Sequence, residues 1–116
     1  MRHIESGIQK NAVTWFRLQY KAIAGLLFAV PNGGARNASE AGILKGEGVT
    51  AGVSDLILLF PAQDYSALCI EFKTEKGNQT PSQKDWQKLA EKSGNKYVIC
   101  RSFDDFRKEI KEYLRC

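Results

Sequence analysis

Histidine is almost missing from this sequence of 116 residues; the single one is His3. A Ser-His-Asp triad, a Cys-His pair or a histidine-based nuclease would each have to be built on that residue, close to the start, which argues against all three. Cysteine is scarce too. Cys69, Cys100 and Cys116 form no CxxC pair and no cluster with histidine, so the spacing offers no zinc site. Their odd number and the apolar runs around the first two read as reduced core thiols in a cytoplasmic protein. Long hydrophobic runs are absent. The longest, Ile23 to Val30, falls well short of the roughly 20 residues a spanning helix needs and stands too far from the start for a signal peptide. Nothing repeats and no tract is of low complexity, so residues 1–116 read as one globular domain.

Basic residues outnumber acidic ones, 17 to 13, for a net charge of +4. This mild excess permits a polyanionic partner without requiring one.

Apolar spacing predicts a helix over Glu5 to Ala24, with Ile8, Ala12, Trp15, Phe16, Leu18 and Ile23 on its stripe and Gly25 as its stop. Leu26 to Val30 reads as a strand, ended by Pro31. After the Gly-rich "PNGGARN", Ala38 to Lys45 makes a short helix with Ser39 as its N-cap, and "GEGVTAG" is a second flexible loop. Asp55 to Phe60 and Ser66 to Lys73 form strands joined by the turn "PAQDY". Pro81 to Ser93 is a helix with proline in its first turn and Gly94 beyond its end. Trp86 and Leu89 read as its core residues. Lys96 to Arg101 is a strand and Phe103 to Leu114 a final amphipathic helix. The order α-β-(α)-β-β-α-β-α implies a mixed β-sheet flanked by helices, an α/β fold.

The stretch "SALCIEFKTEKG" interrupts a buried strand with Glu71 and Lys73. Buried charge is costly unless paired or bound to a metal. Strand residues two apart share a face, so these two side chains point the same way. A turn centred on Gln63 sets Phe60 opposite Ser66 and Asp55 opposite Glu71, with Cβ atoms roughly 4.5–5.5 Å apart. Two carboxylates so close need a shared proton or a cation between them. Lys73 offers one charge; a structural ion pair would use it alone. Hard oxygen donors also suit Mg²⁺ or Mn²⁺.

Asp–x(n)–Glu–x–Lys at a hairpin end resembles the PD-(D/E)xK nuclease signature, with Ser54-Asp55 in place of "PD" and Glu71-Phe72-Lys73 as "ExK". Proline there shapes backbone and does no chemistry. Together with "ESGIQ", "PNGGAR", "GILKGEGVTAGVSDLIL", "YSALCIEFKTEKGNQTPSQKDW" and "SGNKYVI", in that order, nearly the whole chain resembles the virus-type replication-repair nuclease domain, VRR-NUC. The resemblance implies a restriction-endonuclease-like fold and a metal-dependent endonuclease hydrolysing DNA in replication or repair. It further implies a small stand-alone, phage-like member, working as a homodimer on branched DNA or four-way junctions in a bacterial or phage-infected cell.

Under that resemblance Asp55 and Glu71 bind one or two Mg²⁺ or Mn²⁺ ions, with the Phe72 carbonyl as a further ligand. Lys73 orients or deprotonates the attacking water or stabilises the transition state. Glu5 stands beside the metal, directly or through water; alternatively it only favours the positive end of its helix dipole. Gln9 shares its face. Gln83 faces the active site. Arg36, after its glycines, and Lys45 and Lys76, beside Gly-rich or polar loops, are candidate phosphate contacts. Lys84, Lys88 and Lys92 form a basic stripe that reads as a solubilising face. A dimer would need apolar surface from Trp15, Phe16 and Tyr20 or from the segment around Ile43 and Leu44. Two other readings are an inactive DNA-binding module on the same fold and a sequence-specific restriction-type endonuclease. The intact cluster argues against the first and the small size against the second.

Overall fold

The computed structural model describes residues 2–31 and 38–115. The element order is α1 (Arg2–Gln19), a 3-10 turn (Lys21–Leu26), β1 (Leu27–Ala29), α2 (Ala38–Gly46), β2 (Leu56–Leu58), β3 (Leu68–Phe72), α3 (Pro81–Lys92), β4 (Lys96–Cys100) and α4 (Phe103–Tyr113). The predicted order is therefore the observed one. The four strands form one sheet in the order β1-β2-β3-β4. The first two pairings are antiparallel and β3–β4 is parallel, with α3 as the crossover.

Alternation along β3 divides the molecule. Leu68, Ile70 and Phe72 point to a deep core shared with Leu56 and Leu58, Phe16 of α1 and Phe106, Ile110 and Tyr113 of α4, all fully buried. Aromatic rings stack through this layer, Phe72 against Phe106 at 5.9 Å and Trp15 edge-on to Phe106 at 6.2 Å. The opposite face carries Cys69 and Glu71. It is covered by α3 through a smaller cluster of Cys69, Ala90 and Tyr97, with Trp86 and Ile99 alongside.

Local chemistry fixes the helix ends. Thr80 caps α3 by accepting from the Gln83 N–H at 3.2 Å, and the Gln83 side chain accepts from the Thr80 N–H at 2.9 Å, a reciprocal capping box. Ser102 caps α4 by accepting from the Asp105 N–H at 3.0 Å. The Tyr113 hydroxyl donates to the Phe60 carbonyl at 2.6 Å, and the Gln63 amide donates to the carbonyls of Glu112 and Tyr113, tying the end of α4 to the β2–β3 turn. Gln63 adopts φ 57, the left-handed conformation of a tight turn.

Several expectations need correction. Helix α1 ends at Gln19, before Gly25, because Tyr20 leaves helical geometry (φ −121, ψ 64) and packs its ring on Phe16 and Trp15. Leu18 is 66% exposed and outside the stripe. Ser39 lies inside α2 instead of capping it. Leu89 is 64% exposed: α3 is already anchored on the sheet through Trp86 and Ala90, one turn apart on its sheet-facing line. The aromatic side chains of α1 belong to the monomer's own core, Phe16 wholly and Trp15 in part, as does Tyr20 just beyond its end. Of the two proposed dimer surfaces, that leaves α2, which buries no residue and exposes Ile43. The thiols of Cys69 and Cys100 are free and buried, and burial pushes Cys100 up to about 12, which makes it inert.

Candidate active site

The expected hairpin register holds. Leu56 faces Ile70 and Leu58 faces Leu68, which continues to Asp55 and Glu71 one residue beyond the ladder. Strand β2 begins after Asp55, and the Asp55 carboxylate takes over the ladder's role there, accepting from the Phe72 N–H at 2.7 Å. Its own carbonyl accepts from the Val30 N–H at 2.9 Å, so Asp55 is held from both neighbouring strands. Ser54, fully buried, donates its hydroxyl to the Leu56 carbonyl at 3.0 Å and shapes this turn into β2 without a proline.

Glu71 is 2% exposed. Its Oε2 accepts from the Gln83 amide at 3.0 Å and lies 3.8 Å from the Lys73 ammonium. Its Oε1 is buried and takes no donor from any described residue. Burial, and then the charge of Asp55, raise the Glu71 carboxyl to about 8, against a smaller pull from Lys73. Burial also raises Asp55, offset by the hydrogen bond from Phe72. Near neutral pH the pair therefore holds a proton on Glu71. A divalent cation could replace that proton: two hard carboxylates, one with an orphan oxygen, are a donor set that suits Mg²⁺ or Mn²⁺ completed by water. Among the described residues no three of His, Cys, Asp and Glu converge on one point as metal ligands. Glu5 acts on Asp55 and Glu71 through its charge alone, raising both.

These groups line a cleft of about 1090 Å³ between α1, α2 and the first turn of α3. The cleft brings together Glu5, Gln9, Lys45, Asp55, Glu71, Lys73 and Gln83. Phe72 turns its side chain into the opposite core and offers backbone only. Lys76 is exposed in the β3–α3 loop, away from the cleft lining. Arg36 lies outside the described residues.

Two residues that position the site escaped the sequence reading. Gly52 (φ 87) packs so closely on α3 that a Cβ there would stand 2.3 Å from the Ser82 carbonyl oxygen. Only glycine admits this contact, which seats the loop before β2 on the turn bearing Gln83. Arg101, at the end of β4, donates from one guanidinium nitrogen to the carbonyls of Thr74 at 2.8 Å and Gly77 at 2.7 Å, with Glu75 at 3.4 Å. It thereby fixes the loop that follows Lys73. Gly52 had a visible signal in its Gly-rich stretch; Arg101 had none.

A mixed sheet with a hairpin-end acid pair, an adjacent lysine and helices on both faces is the arrangement of the PD-(D/E)xK nuclease class. The chain matches the VRR-NUC domain family over residues 2–104 and belongs to it. A solved structure named VRR_NUC domain protein is similar at a TM-score of 0.84 and 26% identity, covering 96% of this chain and 88% of its own. No curated protein matches the chain. No described helix is long and apolar enough to cross a membrane.

Proposed function

We propose that this member of a nuclease family is a Mg²⁺- or Mn²⁺-dependent DNA endonuclease, selective for branched DNA such as four-way junctions, acting in replication or repair. The carrying observation is the half-buried Asp55 beside the buried Glu71, whose Oε1 takes no donor from any described residue, both lining the cleft. Asp55 and Glu71 would hold the ion, with Glu5 and the Phe72 carbonyl completing its surroundings. When bound, such an ion lowers the pKa of water and offsets charge on the phosphorane.

The chain's own groups do the rest. The Gln83 amide fixes the Glu71 carboxylate, and the Phe72 N–H fixes that of Asp55. Lys73, nearly buried beside Glu71, places a cation where the attacking water or the developing negative charge would lie. Lys45 on the cleft wall, with Arg36 and Lys76, would contact the DNA backbone. Symmetric nicking of a junction calls for a two-fold homodimer, for which the exposed Ile43 side of α2 is one available apolar surface. Reduced, buried thiols fit a cytoplasmic setting, in bacteria or phage-infected cells.

The test is a panel of labelled substrates (single strand, duplex, flap, splayed arm, four-way junction) with Mg²⁺, Mn²⁺ or EDTA. Cleavage that needs the ion, favours branched DNA and disappears in Glu71→Ala is expected. A Glu71→Ala protein that cuts normally would sink the assignment. Light scattering at micromolar concentration, with and without junction DNA, tests the dimer; a monomer mass in both removes paired nicking.

A further inference from the structure

Resting on the nuclease reading, we infer that the outer face of α3 is a docking track for one duplex arm of the DNA substrate. Three observations converge. Lys84, Lys88 and Lys92 are all exposed and recur on successive turns. At 100° per residue they lie on the side of the helix away from Trp86 and Ala90, its sheet-facing residues. Four residues of helix rise about 6 Å, so the ammonium groups are spaced much like consecutive phosphates along a strand.

The second observation is their electrostatic freedom. Near α4, Arg107 pairs with Asp104 at 3.2 Å, Lys96 of β4 with Glu109 at 3.8 Å and Arg115 with Glu112 at 3.3 Å, while Lys108 and Lys111, far from the cleft, form no ion pair with any described residue. The α3 lysines form no ion pair with any described residue. Of the two acids on α3, Glu91 accepts from the Gln87 amide at 3.2 Å and Asp85 forms no ion pair with any described residue. Third, the track begins at the reaction. The first turn of α3 lines the cleft through Thr80, Ser82 and Gln83, and Gln83 holds Glu71. The stripe leads outward from there along a helix of 12 residues, about 18 Å or some five base pairs of duplex.

The test compares the wild type, Lys84→Gln/Lys88→Gln/Lys92→Gln, and Lys108→Gln/Lys111→Gln on α4 as a control. Substrates carry arms of increasing length beyond the cut, and both binding and cleavage are read across a salt series. Neutralising three phosphate contacts should lower the slope of log affinity against log salt by about 2.7 and weaken long-arm binding on the order of tenfold or more. Arms shorter than about five base pairs should be indifferent to the change, as should the α4 control on any arm. An unaltered slope in the α3 variant, or an equal loss in the α4 control, overturns the track. A wild-type chain that binds without cutting removes the nuclease reading and leaves the arm measurement decisive; one that binds no DNA removes both.

Discussion

The two faces of β3 do different work. On one, Leu68, Ile70 and Phe72 enter a core of stacked rings from α1 and α4. On the other, Cys69 and Glu71 meet a thin cover in which Trp86 and Ala90 of α3 pack with Tyr97 and Ile99 of the neighbouring β4. Stability concentrates on the first face, so the second can carry a cluster that resists its own burial. A strand that reads as uniformly hydrophobic is in this sense two strands, divided by the pleat.

The sharpest way to break the comparison is at Glu71. Glu71→Ala should reduce cleavage by a thousandfold or more, on the order expected for losing an essential group in the reaction, while the fold persists; circular dichroism and the substrate panel report both. The opposite face should behave in reverse. Phe106→Ala removes a fully buried ring and should cost about 3–5 kcal/mol in urea unfolding, with DNA cleavage retained below the unfolding transition.

The charge on the thin face also sets a pH dependence. Glu71 is raised from an ordinary 4.5 to about 8 on folding, so the native state holds a proton that the unfolded chain releases in that window. With EDTA present, Tm should fall as pH rises from about 4.5 through about 8. Glu71→Gln should flatten that fall, and added Mn²⁺ should raise the wild-type Tm most at the alkaline end. A wild-type profile identical to that of Glu71→Gln would show that Glu71 is not held protonated.

Smaller effects sharpen the division. Gly52→Ala must displace the loop from the Ser82 carbonyl and strain a positive φ, a cost of about 1–3 kcal/mol, and cleavage should drop more than stability alone explains. Gln83→Ala loses half of the capping box and the hold on Glu71. It should cost about 1 kcal/mol and lower kcat with little change in DNA affinity.

Much of this was legible in the sequence because alternation and turn chemistry are local. The register that faces Asp55 toward Glu71 followed from the position of one turn, and the boundaries of α3 from Pro81 and Gly94. What stayed hidden depends on partners far along the chain. The early end of α1 comes from Tyr20 packing on its own helix and the core, where Gly25 was the louder local signal. The exposure of Leu89 reflects the limited sheet area beneath α3, which helical spacing does not encode. Arg101 is one arginine after a strand, and nothing in its neighbourhood announces three carbonyls waiting elsewhere.

That last contact bears on how the protein comes into being. Asp55, Glu71 and Lys73 are made before the arginine that braces the loop after them. The loop that follows them is gathered by a guanidinium 24 to 27 residues later, and β3 receives its parallel neighbour only when β4 arrives. A nascent chain therefore carries the acidic pair before it has the brace that shapes the ground around it. The acidic pair therefore gains its full surroundings only once β4 has been made and has joined the sheet.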